Sequence, residues 1–253
     1  MSIQELRKGK RLVGTMLRFV RDPGVARIAK NAGLDFVMAD MEHGSYSFET
    51  VADIFKVARA VGLGSLVRVP ELSKGCVSRA MDCGAAGVMV PMIESAEQAQ
   101  LLVGWTKFAP LGRRGLGGSG VHTDYMSVGD HTPQFMAAAN EETICIAQIE
   151  SARAIESVDQ IAAVKGLDAL LIGPNDLSIS LGCPGDLMND EVQKAIGKVA
   201  DAASEHGKIF GMHAGDALLQ KWVSHGMTLV MSALDIGFLL SGMRGVAEKY
   251  GDR

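Results

Sequence analysis

A chain of 253 residues with a formal charge of −4 and no basic block lacks the electrostatic footprint of a nucleic-acid binder, and an apolar fraction of 47% excludes a disordered segment. No apolar run reaches transmembrane length, and the N-terminal MSIQELRKGK lacks the apolar core of a secretory leader, so a cytoplasmic protein with no membrane partner is expected. The four cysteines, Cys76, Cys83, Cys145 and Cys183, form no C-x-x-C pair and read as free thiols.

In chain order, Arg11 to Leu17 is predicted as a first strand, followed by a helix start at Asp22-Pro23, the helix VARIAKNA and a C-capping Gly33. The second strand, Leu34 to Ala39, ends in Asp40-Met41-Glu42-His43-Gly44, and Ser47 caps the next helix. Strand three, Ser65 to Val69, is stopped by Pro70, and strand four, Ala86 to Val90, by Pro91. The segment from Ala109 to Asp130 is glycine-rich and too long for an ordinary connector, as binding loops and lids are. Strand five, Thr143 to Ile149, ends in Gln148-Ile149-Glu150, and strand six, Asp168 to Ile172, ends in Gly173-Pro174-Asn175-Asp176. Strands seven (Lys208 to Met212) and eight (Thr228 to Met231) and a last helix from Asp235 to Tyr250 complete the series.

Short apolar strands alternating with helices are buried on both faces, as in parallel sheets, and eight such units predict one closed (β/α)₈ TIM barrel over residues 1–253. No G-x-G-x-x-G follows the first strand, which argues against a dinucleotide fold. Asp40, Glu42, His43, Arg68, Gln148, Glu150, Asn175 and Asp176 all fall at strand C-terminal ends, the face on which barrel enzymes carry their chemistry. Glu150 and Asp176 end successive strands. Parallel neighbours lie ~4.8 Å apart, so both carboxylates can reach one hard cation, although each alone could equally serve the first turn of the helix behind it. Arg68 is read either as the ion-pair partner of Asp40 or Glu42, or as a planar donor to an oxyanion. His43 is a candidate proton carrier, since histidine titrates near neutrality. Gln148 shares a strand face with Glu150, and the turn Gly173-Pro174-Asn175 offers backbone N–H groups to a substrate carboxylate.

The strings DMEHGSYSFE, VRVP, MDCGAAGVMVPMIES, PLGRRGLG, AQIES and LIGPNDLSISLG resemble, in order, the metal-dependent HpcH/HpaI aldolases of 2-oxo acids over roughly residues 10–240. The resemblance implies a divalent cation (Mg²⁺, Mn²⁺ or Co²⁺) on Glu150 and Asp176. It also implies reversible cleavage of 4-hydroxy-2-oxo acids to pyruvate and an aldehyde through a metal-stabilised enolate. Arg68, oriented by Asp40, is then the enolate-stabilising residue, and His43 assisted by Asp82 moves the protons. Gln148, Gly173, Pro174 and Asn175 hold the substrate, and Arg114 reaches its distal part. A homo-oligomer, typically a hexamer with the terminal helix exchanged between subunits, is implied too.

Three other readings stay open on sequence: a coenzyme A thioester lyase or a phosphonate mutase or lyase built on the same metal–oxo-acid centre, and a non-catalytic oxo-acid-binding barrel. A Schiff-base aldolase needs a lysine at the mouth, and only Lys208 comes near a strand, at the wrong end. The chain departs from the family pattern at GSGVHTDYMSV after Gly117 and at His213, both expected near the aldehyde.

Overall fold

The computed structural model describes residues 3–251 and is a closed parallel barrel in which every strand pairs with its neighbours in sequence and the last closes on the first. The strands are β1 (Leu12–Leu17), β2 (Phe36–Asp40), β3 (Gly64–Arg68), β4 (Gly87–Val90), β5 (Ile144–Ile149), β6 (Ala169–Ile172), β7 (Ile209–His213) and β8 (Leu229–Leu234). This is the (β/α)₈ architecture expected from the alternation. Among the described residues no helix is long and apolar enough to cross a membrane.

The two-residue period of the strands sorts their side chains into two cores. Leu12, Met16, Phe36, Met38, Leu66, Met89, Ile144, Ile146, Leu171 and Met231 fill the barrel, with Leu6 below them. Their odd or even partners, such as Val37, Ala39, Val67, Val88, Cys145, Ala147, Leu170 and Ile172, pack outward against the helices. The inner layer needs local thinning: a Cβ at Gly14 would come within 2.5 Å of the Phe36 ring, so the glycine is what lets that ring lie across the barrel floor.

Helix starts follow the local chemistry. The side chains of Ser47, Ser73, Ser95 and Ser151 each accept the N–H three residues on, and Asp22 accepts that of Gly24 ahead of the helix Gly24–Asn31. The helical stretch predicted directly behind β5 is two short helices, Ala152–Glu156 and Val158–Ala162, and the terminal helix spans Asp235–Tyr250 as predicted.

The N-terminal end of the barrel is closed by charge. Lys107, only 1% exposed, places Nζ 2.8 Å from Asp168 Oδ2 and 2.9 Å from the carbonyl oxygen of Asn140, while Arg7 Nη2 takes Asp168 Oδ1 at 2.6 Å. Lys208 donates to the carbonyl oxygens of Val164 and Leu167 at the same end. Both amines, the buried Lys107 and the half-buried Lys208, therefore lie a full barrel height from the mouth, where a Schiff-base lysine would be required.

Candidate active site

Several inward rows of side chains become polar at the C-terminal mouth. Along β2 the row runs Phe36, Met38, Asp40; along β3, Leu66, Arg68; along β5, Ile144, Ile146, Gln148; along β7, Ile209, Gly211, His213. Strand pairing sets Asp40 directly beside Arg68. The carboxylate of Asp40 is completely buried and accepts Arg68 Nε at 2.9 Å and Nη2 at 2.7 Å, a bidentate pair. It also accepts the backbone N–H groups of Glu42 and His43. Burial works against its charged form, but the hydrogen bonds and charge of Arg68, and then of Arg18, outweigh it and hold Asp40 below the ordinary carboxylate value. Arg68 Nη1 meets Glu42 Oε2 at 2.9 Å, so the ion-pair reading of this arginine holds, and its guanidinium also lines a cavity at the mouth.

Glu150 is 3% exposed and makes no ion pair among the described residues. Its Oε1 accepts the N–H of Met92 at 2.9 Å and its Oε2 accepts Gln148 Nε2. Met92 holds that N–H in place with φ 54°, a left-handed conformation that a side chain rarely adopts and that marks strain at the mouth. Burial first, then the neighbouring charges of Asp176 and Glu42, push the Glu150 carboxyl up to about 7 despite the Met92 and Gln148 donors. Glu42 is raised as well, mainly by burial and against the pull of Arg68, with Asp40 and Asp176 adding to the rise. Several carboxylates thus share a site short of positive charge on the side of β5 and β6. Oxygen donors of this kind suit a hard divalent cation. Among the described residues no group of three or more acidic, histidine or cysteine side chains is gathered for a metal, so two carboxylates leave room for other oxygen ligands.

Arg18, Arg68, His43, Gln148, Asp176 and His213 line one cavity of about 270 Å³. Gly173, Pro174 and Asn175 complete its wall at the start of the helix Pro174–Ser180. His43 is half exposed, with Nε2 3.8 Å from Glu42 Oε2.

Two expected site residues lie elsewhere. Asp82 ends the helix Lys74–Asp82, which runs back from the mouth, so it sits at the N-terminal end of the barrel. There it pairs with Arg114 Nη2 at 2.6 Å. Neither Asp82 nor Arg114 can reach the His43 of the same chain. The segment after Gly117 goes with them. It packs on the outside of the barrel base beside a separate cavity of about 670 Å³ lined by Arg59, Arg114, His122 and Phe135, and does not cover the mouth of its own barrel.

Arg18 was not foreseen. Its Nε donates to Asp40 Oδ2 at 2.5 Å, and period two from Leu12 through Gly14 and Met16 would have turned it inward.

A family model described as HpcH/HpaI aldolase/citrate lyase matches residues 19–240. The chain belongs to that family. It is 31% identical over 249 residues to the hydroxypyruvate/pyruvate aldolase of Roseobacter denitrificans, covering 98% of this chain and 95% of that protein. To the 2-keto-3-deoxy-L-rhamnonate aldolase of Salmonella paratyphi B it is 35% identical over 234 residues, or 91% and 85% of the two chains. The crystal structure of an HpcH/HpaI aldolase from Desulfitobacterium hafniense superposes with a TM-score of 0.92 at 35% identity, covering 99% of this chain and 96% of the other. These relatives are aldolases, carbon–carbon lyases, and this HpcH/HpaI barrel is an enzyme of the same family.

Proposed function

We propose that this enzyme is a divalent-metal-dependent aldolase that cleaves 4-hydroxy-2-oxo acids to pyruvate and an aldehyde, or joins them. One juxtaposition carries the reading: Arg68, fixed by Asp40 and Glu42, lines the same small cavity as Asp176 and as Gln148, whose amide is bonded to Glu150, a buried carboxylate with no ion-pair partner among the described residues. Mg²⁺, Mn²⁺ or Co²⁺ held by Glu150 and Asp176 would supply Lewis-acid polarisation of the oxo acid. Arg68 donates to the ketone oxygen, where negative charge grows as the enolate forms, and its ion pairs mean it need not reorganise to do so. The turn Gly173-Pro174-Asn175 receives the substrate carboxylate through the N–H groups of Asn175 and Asp176, since Pro174 has none and that of Gly173 is given to the carbonyl oxygen of Ile149. Gln148 spends its amide N–H on Glu150, and its Oε1, buried and otherwise without a partner, is an acceptor suited to the substrate hydroxyl. In cleavage His43 takes the proton of the 4-hydroxyl, the C3–C4 bond breaks, the aldehyde departs and C3 of the enolate is protonated.

Exchange of the pyruvate methyl protons with deuterium, followed by NMR, tests this half-reaction. It is expected to saturate with pyruvate, to require added Mg²⁺ and to stop with chelator. A folded, metal-loaded enzyme that leaves the methyl group unexchanged would sink the aldolase reading in favour of a barrel that only binds oxo acids.

The terminal helix supports an oligomer. Phe238, Leu239, Leu240, Met243, Val246 and Tyr250 are all exposed on it, a continuous apolar face of the kind that marks a protein interface. We infer that it packs on further copies of the chain, as in the exchanged hexamer that the family resemblance implies. Light scattering should find the wild type as a multiple of 26.8 kDa. Charging this face (Leu240→Asp with Met243→Asp) should release smaller species, and an unchanged assembly would place the interface elsewhere.

A further inference from the structure

The terminal helix is tied into the barrel mouth at its first residue. Asp235 is 4% exposed, and its carboxylate accepts the N–H groups of Arg18, Phe19 and Val20 at 3.1, 2.9 and 2.7 Å and that of Ile236 at 2.9 Å. One such bond is enough to start a helix. Three of these four donors belong to another segment, the turn behind β1. The carboxylate therefore serves that turn more than its own helix.

The backbone is bent to place it there. β8 pairs with β1 in step from Leu12 to Gly14, then the register shifts and Met16 stands opposite Leu234. Ala233, inside the shift, has φ 59°, which a residue with a side chain seldom adopts. Irregular pairing of this kind re-aims the residues around it and recurs beside active sites. The carbonyl oxygen of Ala233 accepts Thr15 Oγ1 at 3.2 Å and lies 3.1 Å from His213 Nε2, so the bend is held from both neighbouring strands.

The turn so anchored carries Arg18. Its Nε donates to Asp40 Oδ2, the same oxygen that accepts Arg68 Nη2 at 2.7 Å. A continuous series of hydrogen bonds runs from Asp235 through Arg18 and Asp40 to the guanidinium that faces the enolate oxygen in the aldolase reading. Tyr46 holds the turn from its other side, donating Oη to the carbonyl oxygen of Val20 at 2.7 Å. Glu150 and Asp176, behind β5 and β6, are not members of this series.

We propose that Asp235 is a positioning residue for the reaction: by fixing the turn behind β1 it sets Arg18 and, through Asp40, the orientation of Arg68. The terminal helix and the arginines of the mouth thus share one anchor. This rests on the aldolase reading.

The test reads deuterium exchange of the pyruvate methyl group at saturating pyruvate and Mg²⁺. Asp235→Asn keeps the size of the side chain but turns an amide N–H₂ toward main-chain donors that need an acceptor, so the turn should shift. Exchange should slow by roughly ten- to a hundredfold, the scale of a misplacement of about 1 Å. Mn²⁺ affinity by calorimetry and assembly size by light scattering should stay as in the wild type. Arg18→Gln should slow exchange as well, and the double variant should be about as slow as Arg18→Gln alone, because both changes break the same series. Independent defects would instead multiply in rate. Wild-type exchange in Asp235→Asn, a smaller assembly, weakened Mn²⁺ binding or a double variant showing the product of the two losses overturns the proposal while wild-type exchange still supports the aldolase. If Asp235→Asn does not fold, Tyr46→Phe releases the same turn at Val20 and is read in the same cycle with Arg18→Gln, where multiplying losses or no loss at all overturn the proposal. Absence of exchange in the wild type would bring down the aldolase reading and this inference with it.

Discussion

Arg68→Met is expected to lower kcat for aldol cleavage by roughly a hundred- to a thousandfold, the range found when one oxyanion donor is removed. The methionine keeps much of the apolar stem beside Met16 and Met89 but leaves the ketone oxygen without its guanidinium. The same change strips Asp40 of its bidentate partner. That carboxylate has no exposure and would retain Arg18 as its one cationic partner beside the N–H groups of Glu42 and His43, so unfolding free energy should fall by about 3 kcal/mol, the lower end for breaking a buried pair. The two losses are separable. Urea unfolding reads the second, and kcat on folded protein reads the first. Arg68→Lys should recover part of the stability and little of the rate, because one ammonium cannot serve Asp40, Glu42 and an enolate oxygen together.

The pH dependence gives an independent check with a defined sign. Asp40 is held below its ordinary value, so its pairing contributes stability above that value and loses it as pH falls through the lowered one. Wild-type stability should drop on acidification below about pH 4, and Arg68→Met should show a shallower drop, having already lost most of that contribution. A variant with wild-type turnover and wild-type acid sensitivity would mean that Arg68 neither meets the substrate nor holds Asp40.

Much of this fold is legible because its signals are local. Serine caps at Ser47, Ser73, Ser95 and Ser151 each depend on residues three apart, and apolar runs such as Phe36 to Ala39 mark strands buried on both faces. The ends of those strands then give Asp40, Arg68, Gln148 and Glu150 by position alone. The roles of Asp82 and Arg114 rest on the family resemblance and not on strand position. The helix ending in Asp82 returns from the mouth, so that aspartate and its partner Arg114 must lie at the barrel base. Arg18 follows from the pattern only when the two-residue period of Leu12, Gly14 and Met16 is carried past the apolar strand, which turns it toward Asp40. Lys107 was beyond reach. Its burial follows from meeting Asp168, the carbonyl oxygen of Asn140 and that of Thr143, three contacts that no local pattern brings together.

Gly173→Ala is expected to weaken divalent-cation binding by about ten- to a hundredfold, the usual cost of disturbing what orients a metal ligand, with the fold kept. The glycine has φ −98°, which alanine adopts freely, so the effect is purely one of space. A methyl group there would overlap Glu150 Oε2 and stand 2.8 Å from Gln148 Nε2 and 3.0 Å from Glu150 Cβ. Glu150 would have to swing away from Met92, abandoning the place from which it and Asp176 can share a cation. Glu150→Gln reaches the same end by charge: it keeps the acceptor for Met92 N–H and removes the anion, so affinity should fall by more than roughly a hundredfold. It should also be no less stable than the wild type without metal, since a neutral amide replaces a carboxyl that burial drives toward its protonated form. Gly75→Ala, inside the helix Lys74–Asp82 with open space at its Cβ, is the control and should bind metal as the wild type does. Calorimetric titration with Mn²⁺ and thermal melts in chelator separate the effects. Wild-type Mn²⁺ affinity in both Gly173→Ala and Glu150→Gln would remove Glu150 from the metal site and leave its burial beside Arg68 as packing alone.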